Sequence, residues 1–220
     1  MEGLFEVYLI TAIEFQTQLF GYITDFRNPK AIRPRPCCAY SLYGDCPVQP
    51  MFKFRIYGSY EYVKGIVDEI EKNMNEKGIM ILRTRIKVMA DNESIHYESV
   101  AQKTNRNYFE FHFKLDIKNT LEWNKIVTIL TPFGGHLFFN PYNRVMTPIA
   151  TIRRYTNLNE LQEVYLDAVK SLNQNGFKPF ELEKEYSVYD SNVFMDKNWL
   201  FEDKPDNFIK EINPSMLFAF

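Results

Sequence analysis

A stretch that occurs twice constrains this chain more than any other feature. Gln49-Pro50-Met51 opens it, and Thr147-Pro148-Ile149 opens it again 98 positions later. From each proline the landmarks fall at equal offsets: Arg55 and Arg153, Tyr57 and Tyr155, Lys72 and Lys170, Asn75 and Asn173, Gly78 and Gly176. The apolar positions agree as well, with Val63/Leu161, Ile66/Val164, Ile70/Ala168 and Met74/Leu172. Each copy reads as a strand, an amphipathic helix, a glycine that ends the helix, and another strand. An ungapped repeat of this length predicts a fold built twice.

Extending the pattern in both directions gives the unit. Leu4 to Thr11 is a β-type run. Ile13 to Phe26 spaces Phe15, Leu19, Tyr22, Ile23 and Phe26 as one helical stripe. Ala31 to Tyr43 is extended but carries Pro34 and Pro36, which suits only an edge strand. The strand from Gln49 to Tyr57, the helix from Tyr60 to Lys77 and the strand from Ile79 to Met89 complete a βαββαβ order, the ferredoxin-like unit. The order restarts at Phe109-Glu110-Phe111-His112. It continues through a helix over Thr120 to Phe133 with Thr120 as N-cap, and a hairpin from His136 to Tyr155 around Pro141-Tyr142-Asn143. A helix over Leu158 to Asn175 and a strand over Phe177 to Tyr189 end it. The expected fold is α+β, a tandem duplication of a ferredoxin-like βαββαβ unit, with antiparallel sheets and helices on one face. The units span 1–92 and 108–192, joined by a polar linker at 93–107. An aromatic tail at 193–220 packs on the body.

Composition narrows the function classes. Net charge is −2, so nothing draws the chain globally to nucleic acid or acidic membranes. No run approaches the roughly 18 apolar residues of a membrane span. The first twenty residues hold Glu2, Glu6 and Glu14 without a basic n-region, which predicts no secretory signal. Cys37, Cys38 and Cys46 suit neither a disulfide framework nor a four-ligand zinc site. They read as thiols of a reducing cytosol, the alternative being a redox-sensitive pair in a proline-rich loop.

Strand alternation places the chemistry. Phe109, Phe111, Phe113 and Leu115 face one way and Glu110, His112, Lys114 and Asp116 the other. Phe52, Phe54 and Ile56 oppose Lys53 and Arg55, and Leu82, Thr84, Ile86 and Val88 oppose Arg83, Arg85 and Lys87. Phe180, Leu182 and Tyr186 oppose Glu181, Glu183 and Glu185. The helix-free face is therefore dense with charge, basic on one copy where the other is acidic. The simplest expectation is a solvated sheet face, or opposite triplets that pair between the repeats and fix their register. The functional expectation is a charged cleft or tunnel between two sheets. There Arg83, Arg85, Lys87, Lys114, Arg153 and Arg55 clamp phosphoryl oxygens, because guanidinium forks match phosphate. Glu181, Glu183 and Glu185, about 7 Å apart along one strand, hold a divalent Mg or Mn ion with help from the substrate. Glu183, Glu181, Glu110 and His112 are the candidate catalytic groups.

Glu110-x-His112-x-Lys114 resembles, with His in place of the second Glu, the Glu-x-Glu-x-Lys signature of triphosphate-tunnel (CYTH) enzymes. That resemblance implies a closed barrel lined with Arg, Lys and Glu, and metal-dependent cleavage of triphosphates. Val188-Tyr189-Asp190-Ser191-Asn192 with Asp196 and Trp199 resembles a family of uncharacterised, mainly bacterial proteins. The likeness extends over Gln49-Pro50-Met51, Arg83-x-Arg85-x-Lys87, Tyr108-Phe109-Glu110-x-His112 and Thr151-x-Arg153, and it implies fold but no activity. Asp190, Ser191 and Asn192 themselves read as turn-formers, and Trp123 and Trp199 as core or tail anchors. His96, His112 and His136 lack the His-x-Ser/Thr pattern of 2H phosphoesterases, and the aromatics of the central strands fall on the apolar side, unlike RNA-recognition sheets. The function expected is binding of a phosphorylated small molecule or nucleotide, with metal-assisted hydrolysis as its extension. The alternative is a non-enzymatic protein-interaction or RNA-binding module on the same basic rows.

Overall fold

The computed structural model of the chain describes residues 1–41, 46–93, 107–142 and 147–196. In the first half, β1 (Glu2–Thr11), α1 (Gln16–Asp25), β2 (Ile32–Ser41), β3 (Val48–Ser59), α2 (Tyr60–Glu76) and β4 (Ile81–Met89) follow in order. In the second half, β5 (Tyr108–Lys114), α3 (Thr120–Leu130), β6 (Gly135–Phe139), β7 (Ile149–Arg154), α4 (Leu158–Gln174) and β8 (Phe180–Asp190) repeat it. All pairings are antiparallel, and the eight strands close into one barrel in the order β1-β3-β2-β6-β7-β5-β8-β4.

The closure has two seams between the halves, β2 with β6 and β4 with β8. The first seam is narrow because the register overlaps only strand ends: the end of β2, Tyr40 and Ser41, faces the end of β6, Phe139 and Phe138.

Apolar strand faces point outward, under the helices. Phe5, Val7, Leu9, Phe52, Phe54, Ile56 and Ile86 pack on Val63, Ile66, Ile70 and Met74 of α2, while Phe109, Phe111 and Ile152 pack with Leu161, Ala168 and Leu172 of α4 and Trp123 of α3. The core is thus a shell between barrel and helices, and the lumen receives the polar faces. Two expected core positions differ: Val164 is only partly buried, and Leu182 is 36% exposed. The cause at Leu182 is a bulge. Lys114 pairs with Phe180 but His112 with Glu183, so one extra residue breaks the alternation, and Glu181 takes a left-handed φ of 50°.

The repeated glycines do the same work twice. Gly78 (φ 77°) and Gly176 (φ 84°) lie just past α2 and α4 in the left-handed region that favours glycine. The N–H of Ile79 bonds back to Met74 and that of Phe177 to Leu172, the same closing bond in each copy. Helix starts are capped by side chains of Ser59, Asn119 and Asn157. The α3 cap is therefore Asn119, and Thr120 is the first helical residue. No helix among the described residues is long and apolar enough to cross a membrane. The expected linker lies almost wholly outside the described residues, as do the turn expected at Tyr43-Gly44-Asp45, Asn143 of the turn expected around Pro141-Tyr142-Asn143, Trp199 and the tail beyond Asp196. The part of the tail that is described, a 3-10 turn over Val193–Asp196, docks with Val193, Met195 and Asp196 buried.

Candidate binding site in the barrel lumen

Alternation in a closed barrel sends every second side chain inward. The inward positions are Glu6 and Tyr8 of β1, Lys53 and Arg55 of β3, Arg83, Arg85 and Lys87 of β4, Glu110 and His112 of β5, Arg153 of β7 and Glu185 of β8. The two halves place them in equivalent registers: Glu6 lies between Arg55 and Lys87, and Glu110 lies between Arg153 and Glu185. The last pairing sets two carboxylates side by side where the first half has a carboxylate and an ammonium.

The inner end of the lumen is a network of four cations and four carboxylates. Arg83 donates through Nε (2.9 Å) and Nη2 (2.6 Å) to Asp190, and through Nη1 to Asp196 (2.6 Å). Arg153 reaches the same Asp196 oxygen at 2.8 Å, and its Nε donates to Glu110 at 2.9 Å. Gln49 Nε2 donates to the other Asp196 oxygen at 2.9 Å, and the Tyr108 hydroxyl donates to Asp190 at 2.6 Å. Arg85 Nη2 donates to Glu110 at 2.6 Å. Lys87 Nζ lies 2.7 Å from Glu185 and also contacts Glu110. Ion pairs this deep add little net stability over apolar packing, but removing one member strands its partners, at a cost of about 3–5 kcal/mol.

These pairings set the protonation states. Burial alone would raise the Asp190 and Asp196 carboxyls, but Arg83 beside both, and Arg153 beside Asp196, outweigh it and hold them below the usual range. Burial likewise opposes ionisation of Glu185, yet Lys87 and His112 bring it down to about 2. Glu110 is held well below its ordinary value by Arg85, Lys87 and Arg153 against the same burial. Burial alone would lower His112, but Glu110 and Glu185 raise it. Its Nε2 lies 3.1 Å from Glu185 and 3.3 Å from Glu110, and its Nδ1 lies 2.7 Å from the Thr151 hydroxyl, so both nitrogens are engaged.

A cavity of about 460 Å³ occupies the rest of the lumen, within the range of small-molecule sites. Buried Arg153, Asp196, Gln49, Met51 and Lys87 form its floor, and exposed Arg35, Glu181 and Glu183 with half-buried Lys114 mark its mouth. Lys53 lines it between, paired with Glu6 at 2.6 Å and 4.8 Å from the centre of the Tyr8 ring. Cys37 is also on the wall, its thiol raised by burial, and none of Cys37, Cys38 and Cys46 is joined in a disulfide.

Of the residues singled out from sequence, Arg83, Arg85, Lys87, Arg153, Glu110, His112 and Glu185 come together in the inner network. Lys114 sits at the mouth, paired with Glu181. Arg55 pairs with Glu6 at 2.8 Å and does not line the cavity. The row Glu181, Glu183, Glu185 does not converge: the bulge takes Glu181 out of line, and Glu183 is exposed while Glu185 is buried. The ligand atoms that do converge belong to Glu110, His112 and Glu185, all within 4.8 Å of one another. Lys87 already bridges those two carboxylates, and Arg85 and Arg153 also hold Glu110. As arranged, the trio has its charge matched by side chains and does not fit a resident divalent ion.

Sequence reasoning missed Asp190 and Asp196, the counter-ions of the network. Asp190-Ser191-Asn192 is more than a turn: the Ser191 hydroxyl accepts from the Thr84 N–H at 2.8 Å, and Asn192 Nδ2 donates to the Leu82 carbonyl at 3.3 Å. A local reading assigns an aspartate at a strand's end to the turn, and Asp196 lies in no strand whose alternation could place it.

No protein-family model and no curated protein matches the chain. Among solved structures, a chain described as an anthrone oxidase-like protein is similar at 10% sequence identity. The alignment covers 86% of this chain and 93% of that one, with a TM-score of 0.28.

Proposed function

We propose that the chain is a tandem duplication of a ferredoxin-like unit whose shared barrel lumen binds a phosphorylated small molecule or nucleotide. The shared strand–helix order, the matched registers of Glu6 and Glu110, and the matched glycine caps support the duplication. One observation carries the binding function. The charged side chains on the cavity wall comprise six cations (Arg35, Lys53, Arg85, Lys87, Lys114, Arg153) and three carboxylates (Glu181, Glu183, Asp196). Four further carboxylates, Glu6, Glu110, Glu185 and Asp190, stand outside that lining, behind the cations. A wall cationic in front and anionic behind is stable when empty, yet presents ammonium and guanidinium groups to an entering phosphate.

Inward-facing basic rows favour a small ligand over RNA, which would need an open sheet face. Matched charge around Glu110, His112 and Glu185 favours binding over metal-assisted hydrolysis. Cysteines outside any disulfide fit the reducing cytosol proposed for the chain.

Calorimetric titration of the full chain with ATP, inorganic triphosphate and a short RNA, each with and without Mg²⁺ or Mn²⁺, tests the proposal. Heat is expected from small phosphorylated ligands without added metal and not from RNA, and Arg85→Lys weakens it. No heat from any small phosphorylated ligand, with protein shown to be folded, would sink the reading.

A further inference from the structure

The two seams of the barrel are chemically unlike. Around the β2–β6 seam the wall carries an apolar patch, Cys37 and Ala39 of β2, Phe138 of β6, Ile149 of β7 and Met51 of β3, bordered by Arg35 and Ser41 of β2 and Gln49 and Lys53 of β3. Around the β4–β8 seam it is charged, with Arg85 and Lys87 flanked by His112 and Lys114 of β5. The strand order sets these seams on opposite sides of the barrel. The two kinds of wall also meet between them, where Lys114 pairs with Ile149 and the His112 ring lies 6.1 Å from that of Phe138, so a ligand filling the cavity reaches both.

Resting on the phosphate-binding reading, we infer that the ligand is amphiphilic: an organic molecule carrying a single phosphate on an aromatic or alkyl body. A triphosphate or inorganic polyphosphate fits the lumen less well. Any phosphate laid on Phe138, Ile149 and Met51 themselves would lose water to apolar surface. A triphosphate would also bring several negative charges to cations that already share carboxylates. An organic body removes that apolar arc from water, at roughly fourfold in affinity per buried methylene. One phosphate then suffices for the Arg85–Lys87 side.

The test is a calorimetric series on the full chain with inorganic phosphate, tripolyphosphate, phenyl phosphate and 1-naphthyl phosphate. Affinity is expected to rise at least tenfold from inorganic to phenyl phosphate and to rise again with the naphthyl ring, with tripolyphosphate weaker than both aryl esters. A gain under tenfold, no further naphthyl gain, or tripolyphosphate binding as tightly as either ester overturns the inference while leaving phosphate binding standing. Silence from all four overturns the phosphate-binding reading as well. Phe138→Ser is expected to shrink the ratio of aryl to inorganic phosphate affinity at least threefold. If that variant does not fold, Ile149→Ser reads the same ratio, and an undiminished ratio overturns the assignment of the apolar arc.

Discussion

Glu185 gives the network a quantitative test, because its two partners and its buried position predict both a magnitude and a pH profile. Its carboxylate receives Lys87 at 2.7 Å and faces His112 at 3.1 Å. Against the burial that opposes ionisation, these cations bring its pKa from 4.5 to about 2. Each tenfold change in proton affinity is worth about 1.4 kcal/mol, so the carboxylate contributes about 3 kcal/mol at neutral pH. A depressed carboxyl stabilises above its unfolded pKa and loses that contribution as pH falls through its folded one. Glu185→Gln should therefore cost about 3 kcal/mol in urea unfolding at pH 7. The difference from wild type should shrink steadily between about pH 4.5 and pH 2. A gap below about 1 kcal/mol at pH 7, or one that does not change with pH, would refute the claim that Glu185 is ionised inside the network.

His112 titrates with the opposite sign: its pKa is raised above 6.5, so its imidazolium stabilises below that pH and ceases to as pH climbs through the raised value. His112→Asn should thus cost more stability at pH 6 than at pH 9, and an equal cost at both would contradict the ion pairing. Gly78→Ala and Gly176→Ala should each lose about 1 kcal/mol by thermal unfolding, because both take a left-handed φ; a loss at one site alone would break the equivalence of the halves. Ile70→Ala should cost about 2–5 kcal/mol from the buried face of α2. Leu182→Ala, on the exposed start of β8, should cost under about 1 kcal/mol.

The sequence carried the repeat, the element order and the side of each strand, because these follow from short-range spacing. Phe109 and Phe111 face the helices while Glu110 and His112 face the lumen, as alternation dictates. Closure was not legible in the same way. Whether β2 ends against β6 and β4 against β8 depends on edge pairings between distant segments, which no local period encodes. Bulges were also hidden. An extra residue at Glu181 divides a carboxylate row that reads as continuous, and so moves the convergent carboxylate and imidazole atoms to Glu110, His112 and Glu185. Asp190 meets Arg83 because β8 pairs with β4, and Asp196 became a counter-ion because a 3-10 turn carries the chain back under Arg83 and Arg153.

A crystal of the full chain grown with 4-iodophenyl phosphate tests the central claim most directly, since the iodine's anomalous signal locates the ring independently of the fitted density. The expected result is one iodine site inside the barrel, against Phe138 and Ile149, with the phosphate within hydrogen-bonding distance of Arg85, Lys87, Lys53 or Lys114. Iodine found only on the outer surface, with the lumen closed by its own side chains, would contradict the account.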